Sequence, residues 1–579
     1  MPYAPDSYPR QIPQFKVHGR GEVTVSAKGI VTGDSNIPND GADFGPDTML
    51  GATVPGQYGA PYTQTSGIQE AYQYATTSGR SLDIDSGIFP LNQQLFFTAG
   101  NIHIHGRGFS TVLKATSTIT KNPNSTVGAT LEISNTIDNF SLHNMIIDNS
   151  NAPSTLQNIG GGGTYTNFTI HDIELIAPTG NSGNGGILFE QVSQTSASYN
   201  FEIYNIYSPN GASVSTYSYP SFDGPSFYNF AIHDIYINVT APSLGDDRIS
   251  INLNNNSVTT GTYMHAFNFY IYNIYIYVAS STGASSKIDG MSVDVVTTAT
   301  NGIATWMHDF EIRNFYLFVD PSLTLDSGEA IHFDGSTNFY NYTIDTFHVT
   351  NMPNAGYIRF NTGFDYPQVI VSNISLYNVS NGLIIAAGMT PSTIPATTVS
   401  VTNYKANGTN TASSTGLTFQ SGGIAQGWNG ASLKNILIEN YSTSITNQST
   451  AWSGIGIDGI TTDQLPNMIS GTFSIKNSTI QFTPTLSANP PVTATVYQNT
   501  NPFDIEIDLP VYATTAGTAG YVTIAKGATS SPTAIGNQYV NGATSSTSVD
   551  IIKLRVPAGW YYSFTASGVT FGTASVFAD

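Results

Sequence analysis

The chain has 579 residues, 40% of them hydrophobic, with a formal net charge of −20 and only 10% charged residues. This length exceeds what one compact core supports, and the acidic balance excludes recognition of a phosphate backbone through clustered Lys and Arg. The absence of cysteine excludes disulfides, thiolate metal sites and a Cys nucleophile, while the apolar content is high enough for a packed core rather than a disordered chain.

The first thirty residues carry prolines and charges where a signal peptide needs an apolar run, so no classical signal peptide is expected. No stretch reaches the roughly 18 apolar residues of a membrane span, and no membrane insertion is expected. Residues 1–60 are read as an N-terminal cap or attachment segment. Next, apolar spacing predicts a helix over Ile68-Gln-Glu-Ala-Tyr-Gln-Tyr-Ala75. Alternation then predicts strands at Leu82-Asp-Ile-Asp-Ser-Gly-Ile-Phe-Pro90, Ile102-His-Ile-His-Gly106 and Thr111-Val-Leu-Lys114.

From Phe140 onward one pattern recurs: aromatic, any, aliphatic, any, Asn or Asp, then apolar alternation. It reads Phe140-Ser-Leu-His-Asn144, Phe168-Thr-Ile-His-Asp172, Phe201-Glu-Ile-Tyr-Asn205, Phe230-Ala-Ile-His-Asp234, Phe269-Tyr-Ile-Tyr-Asn273 and Phe310-Glu-Ile-Arg-Asn314. Weaker copies end at Thr346, Asn373, Asn403, Asn440 and Asn477, and the period is about 33 residues. The period-2 alternation on both sides of the polar residue predicts two short strands meeting at a bend. Asn and Asp suit that bend because they tolerate left-handed φ, and stacked copies would form an Asn ladder.

A further strand accompanies each strong copy, as in Gly186-Ile-Leu-Phe189, Arg248-Ile-Ser-Ile251, Gly290-Met-Ser-Val293 and Glu329-Ala-Ile-His-Phe333. Three strands per repeat predict an all-β fold, a parallel β-helix of about thirteen coils over residues 61–485. The pattern then stops, and regular strands at Ile505-Glu-Ile-Asp-Leu-Pro-Val-Tyr512, Ile551-Ile-Lys-Leu-Arg-Val556 and Trp560-Tyr-Tyr-Ser-Phe564 predict a C-terminal β-sandwich over 486–579.

The helix followed by a strand, Gly, Pro segment resembles the opening of the pectate-lyase-like right-handed parallel β-helix family, of the viral and phage tailspike type. The likeness covers roughly residues 35–480. It implies a helix capping the apolar end of the rod. Tailspike likeness further implies a virion-surface or extracellular spike or adhesin that binds host or surface glycans as a homotrimer. Contacts to other virion proteins would run through the N-terminus, with no cofactor and no nucleic acid. Val556-Pro-Ala-Gly-Trp-Tyr-Tyr562 is similar to terminal strands of phage tail proteins that trimerise or bind glycans. The uncharged polar surface, the lack of cysteine and the missing signal peptide fit an archaeal or thermophilic virus or a surface appendage.

Candidate chemistry falls in three places. Gly245-Asp246-Asp247-Arg248-Ile249 resembles the Gly-Asp-Asp-x-Ile signature of polygalacturonase-type glycosidases, in which carboxylates on adjacent coils act as acid and water-activating base. That resemblance implies an endo-acting polysaccharide hydrolase with Asp223, Asp246, Asp247 and Asp289 on one face. The family's Gly-His-Gly is absent, and Gly-Asp-Asp also reads as an ordinary turn before a strand. Glu329, His332 and Asp334 form a second acidic group, read as a solvated strand face sooner than a metal site, and no metal is assigned. Arg is too scarce to favour a lyase.

The outward columns of the repeat give the third. Two residues after the bend stand Glu174, Tyr207, Tyr236, Tyr275, Tyr316 and His348; just before it stand His143, His171, Tyr204, His233, Tyr272 and Arg313. Tyr204, Tyr207, Tyr236, Tyr272, Tyr275 and Tyr316 are therefore candidate glycan platforms, since rings can hold apolar sugar faces. Plain stacking and contact between protomers remain open for the same residues, as does a purely structural virion decoration protein. The phenylalanines of the repeat fall on the inward phase and are assigned to the core.

Overall fold

The computed structural model describes residues 21–28, 42–125, 128–178, 185–192, 196–219, 224–240, 247–253, 263–279, 288–294, 304–323, 325, 327–333, 338–360, 368–387, 398–409, 411, 413–421, 428–429, 431–448, 452–453, 455–462, 469–470, 473–476, 493–499, 504–513, 520–540, 549–557, 560–571 and 575–578. Within them the chain winds as a right-handed parallel β-helix followed by antiparallel sheets. Each long strand pairs in parallel with its counterpart one coil away. Ser198–Ser208 lies between Gln157–Ile176 and Gly224–Val239, and Gly224–Val239 in turn pairs with Tyr263–Val278. A second series of shorter strands, Gly186–Val192, Ser213–Tyr219, Asp247–Leu253 and Asp289–Asp294, pairs in the same manner.

The bends lie where the alternation breaks. Asn144, Asp172, Asn205, Asp234, Asn273, Asn314, Thr346, Asn373 and Asn403 all hold φ between 50° and 60°, the left-handed region that Asn and Asp enter at least cost. Their side chains form the expected ladder. Asn205 donates to Asp172 Oδ1 at 2.9 Å, Asn273 to Asp234 Oδ1 at 2.8 Å and Asn314 to Asn273 Oδ1 at 2.8 Å. At Thr346 the Asn is missing, and Asp345 takes its place by accepting from Asn373 at 2.7 Å. A second ladder at an earlier corner of the coil runs through Asn167, Asn200, Asn229 and Asn268.

The ladder differs from the sequence reading near its C-terminal end. Asn403 accepts from Asn435 at 3.0 Å, and the strand register aligns Thr402 with Lys434 and Tyr404 with Ile436. The bend of that copy is thus Asn435, whereas Asn440 donates to Asn407 Oδ1 at the next corner. The following bend is Gly459, at φ 82°, which carries no side chain to reveal the pattern. Asn477 lies outside the described residues.

Inside the rod, Phe201, Phe230, Phe269, Phe310 and Tyr342 stack with ring centroids 4.6 to 4.8 Å apart and are buried. The helix Ile68–Ser78 buries Ile68, Ala71, Tyr72 and Ala75. Tyr72 packs on Phe97 at 4.4 Å, and its hydroxyl accepts from Thr98 N at 2.8 Å. This helix caps the N-terminal end of the apolar core, as its family likeness implied. Glu22–Val25 joins the same sheet by pairing with Ser81–Ile84.

At the other end of the chain, Val496–Gln498, Tyr561–Ser567, Gly520–Gly527 and Thr533–Val540 form one antiparallel sheet. Val549–Val556, Ile505–Ala513, Val569–Phe571 and Ser575–Ala578 form another. A core of Ile507, Leu509, Val511, Val522, Ile552 and Phe564 lies between them.

Candidate functional site: aromatic columns on the rod surface

Parallel pairing in register places equivalent outward side chains one above another at the inter-strand spacing, about 4.8 Å. Rings so placed must stack. The two bends divide this wall of the coil into three outward faces, and each carries a column.

On the face after the second bend, Tyr207, Tyr236, Tyr275, Tyr316 and His348 occupy one register position. Their centroids are 4.8 Å apart for Tyr236 and Tyr275, and 4.9 Å for Tyr275 with Tyr316 and for Tyr316 with His348. Beside them, two residues further along each strand, Tyr277 and Phe318 pair in register. Tyr207, Tyr236, Tyr277 and Phe318 are 44%, 47%, 46% and 42% exposed, so this face presents a broad aromatic surface. Burial, and next the facing phenols of Tyr236 and Tyr316, push the Tyr275 hydroxyl above its ordinary pKa.

The middle face carries His105, His143, His171, Tyr204, His233 and Tyr272, stacked at 4.3 to 5.5 Å, with the Arg313 guanidinium 5.9 Å from the Tyr272 centroid. These rings are more enclosed. Burial, aided by Glu202 and Asp172, pushes Tyr204 up to about 12. Burial, aided by the neighbouring histidines, lowers His143 to about 4. Three of the histidines in this wall are tied to the ladders. His171, His233 and His308 face the following Asp at 2.6, 2.7 and 2.8 Å through Nδ1. Asp172 and Asp234 thereby serve two partners, a ring on one oxygen and the next coil's Asn on the other.

The first face holds a column absent from the sequence reading: Tyr199, Tyr228, Phe267, His308 and Tyr340, with centroids 4.6 to 5.2 Å apart. Tyr277 and Phe318 were missed as well. Their signal was present, since Tyr277 continues the alternation from Tyr275 and Phe318 that from Tyr316. The first-face column is harder to see because its residues precede the repeating phenylalanine by two positions, outside the motif.

Of the acidic candidates, Asp223 and Asp246 lie outside the described residues, as does Asp334. Asp247 and Asp289 are register partners on adjacent strands. Asp289 is buried, and its Oδ1 accepts from Glu329 N at 3.1 Å, so one of its oxygens serves the backbone of the next coil. Arg248 is buried and donates through Nη1 to Gly211 O at 2.6 Å. Glu329 and His332 bond each other through Oε2 and Nδ1.

No family model matches this chain, and no curated protein matches it. Among solved structures it is similar to the A-module of a mannuronan C-5 epimerase from Azotobacter vinelandii, at 11% identity and TM-score 0.35, over 72% of this chain and 94% of that one. It is also similar to a tailspike protein of E. coli bacteriophage HK620 in complex with hexasaccharide, at 12% identity and TM-score 0.36, over 96% and 92%. A third is a hyperthermoactive exopolygalacturonase from Thermotoga maritima, at 9% identity and TM-score 0.33, over 72% and 87%.

Proposed function

We propose that this protein is a β-helix spike or adhesin that holds surface glycans on the face formed by Tyr207, Tyr236, Tyr275, Tyr316, Tyr277 and Phe318. The observation that carries this reading is the exposure of four of these rings at 42% to 47% on strands whose register fixes their spacing. Isolated exposed aromatics are ordinary, whereas a contiguous aromatic surface marks an interaction site. The ligand it suits presents repeated apolar faces rimmed by hydroxyls, and a polysaccharide does so. The small share of charged residues, 10% of the chain, suits an uncharged partner whose capture depends little on salt. The same reading puts the protein on a virion or cell surface as a homotrimer, with residues 1–60 as its N-terminal cap and attachment segment.

The test is equilibrium binding of the full chain to a panel of polysaccharides, with Tyr236→Ala/Tyr275→Ala as the variant and Lys405→Ala, further along the same outward column, as control. Affinity is expected to fall at least tenfold in the double variant, or about 1.4 kcal/mol, and to be unchanged in the control. Equal affinity in the double variant would move the binding face elsewhere. Retention of no glycan at all would leave a structural spike. New reducing ends that disappear in Asp247→Asn would instead establish the hydrolase.

A further inference from the structure

Near the N-terminal end of the rod, three acid and imidazole groups converge from three successive strands of one sheet. Glu22 comes from Glu22–Val25, Asp83 from Ser81–Ile84 and His105 from Ile102–His105. The parallel register aligns Thr24 with Asp83 and Asp83 with His105, and Glu22 stands two residues before Thr24 on the same side of its strand. His105 Nε2 lies 3.4 Å from Asp83 Oδ1 and 3.8 Å from Glu22 Oε1. One donor atom from each residue lies within 4.8 Å of the other two.

The Asp83 carboxylate is the unusual member. It is 3% exposed. Its Oδ2 is bonded by Arg107 Nη2, while its buried Oδ1 has no hydrogen-bond partner among the described residues and lies 3.4 Å from the imidazole. A buried carboxylate oxygen without a hydrogen bond costs about 1–3 kcal/mol or more. Contacts of 3.4 and 3.8 Å are too long for the imidazole to satisfy either acid as a hydrogen-bond donor.

We propose that Glu22, Asp83 and His105 bind one divalent transition ion of the zinc type, which clips the N-terminal strand to the next two coils. Zinc bonds of 2.0–2.1 Å to nitrogen and oxygen in tetrahedral geometry require donor atoms about 3.3–3.4 Å apart. The observed 3.4 and 3.8 Å, with all three donor atoms within 4.8 Å of one another, require a closure at Glu22, the exposed and adjustable ligand. Imidazole with two carboxylates favours zinc, cobalt or manganese over calcium, which takes six to eight oxygens. Arg107 holds the outer oxygen of Asp83 and so directs the inner one at the ion, the usual part of a supporting group around a metal ligand. Water takes the fourth position. Because Glu22 is far in sequence from the other two ligands, the ion adds a tie to Glu22–Val25, a strand that also pairs with Ser81–Ile84, bridges Val25 to Phe44, bonds Thr24 to Asp43 and buries Val23 and Val25 in the core.

The experiment uses the full chain stripped with a chelator and titrated calorimetrically with zinc chloride, and separately with calcium chloride. Cobalt chloride is added in parallel to read the visible absorption of tetrahedral Co2+. Expected are one tight zinc site per chain, no matching calcium site and a tetrahedral cobalt spectrum. Zinc affinity should fall at least tenfold in Glu22→Gln and in His105→Gln. Glu22 is half exposed, so Glu22→Gln tests the site without disturbing the core. Limited proteolysis should show the N-terminal strand protected by zinc in the wild type and unprotected in Glu22→Gln. Absence of a zinc site, or zinc binding retained in both variants, would overturn the proposal.

Discussion

The two halves of the rod share a winding but not a vocabulary. Up to about Tyr342 the coils are aromatic both inside and out. The inward position runs Phe230, Phe269, Phe310 and Tyr342 and then continues, in register, as Val369, Val399 and Ala431. Outside, the middle-face column passes from Tyr272 and Arg313 to Asp345, Ser372, Thr402 and Lys434, and the third-face column from Tyr316 and His348 to Ser375, Lys405 and Leu437. The Asn ladder crosses this boundary with one substitution. Backbone winding therefore depends on the ladder and on apolar alternation. The aromatic columns are an addition to one half, which is why a working surface is sought there.

If that separation is correct, the inward phase matters equally in both halves. Phe269→Ala is expected to cost about 3–5 kcal/mol and Leu433→Ala about 2–5 kcal/mol, because each removes a buried side chain and leaves a cavity. Denaturant unfolding of the two variants measures it. A negligible loss at Leu433 would make the second half a loosely held extension instead of a continuous rod.

The ladder should follow in size. Asn273 holds φ 56°, donates to Asp234 and accepts from Asn314. Asn273→Ala loses the side chain that tolerates left-handed backbone and both hydrogen bonds, an expected cost of about 2–3 kcal/mol. Asn273→Gly restores the backbone freedom but not the bonds, and should recover about 1 kcal/mol of this. Equal losses in the two variants would show that the bonds, not the backbone, are what the ladder supplies.

Much of this was legible beforehand because period-2 alternation and an Asn at each bend are written directly in residue identity. The helix at Ile68, the inward phenylalanines, the bends from Asn144 to Asn403 and the Tyr207 to Tyr316 column all follow from local pattern. The bend at Asn435 was misplaced by five residues because Asn440 also precedes an apolar alternation, and only register with Asn403 separates them. Gly459 was invisible for the reason that makes it fit, since it needs no side chain to adopt positive φ. The convergence of Glu22, Asp83 and His105 was illegible for a different reason. The alignment of Ser81–Ile84 with Glu22–Val25 depends on non-local pairing, and nothing in the spacing of the three residues encodes it.

A pH dependence should distinguish the halves more finely. Burial holds His143 neutral in the fold down to about pH 4, with the neighbouring histidines adding to the effect, whereas an unfolded histidine takes its proton near 6.5. Between those values the unfolded state binds more protons, so stability falls as pH falls through this window and levels off below it. Because His143 is partly exposed, the loss is expected to be about 1–2 kcal/mol rather than the full shift. Unfolding midpoints at pH 7 and pH 4.5 measure it, and His143→Gln should reduce the difference. A variant as pH-sensitive as the wild type would assign the slope to other groups.

The smallest effect lies where the two vocabularies meet. Arg313 ends the middle-face column. Its guanidinium stands 5.9 Å from the Tyr272 centroid and bonds Glu311 at 2.8 Å, so the final ring is closed by a cation before the column turns to Asp345. A cation over a partly exposed ring contributes about 0.5–1 kcal/mol, and a partly exposed ion pair up to about 1 kcal/mol. Arg313→Met keeps the apolar stem over Tyr272 and removes both charges' attraction, with an expected loss of about 0.5–1 kcal/mol that shrinks in high salt. Arg313→Lys keeps the charge but not the planar contact and should fall between the two. If Arg313→Met is neutral at low salt, the column ends by running out of rings, and the boundary between the halves has no electrostatic seal.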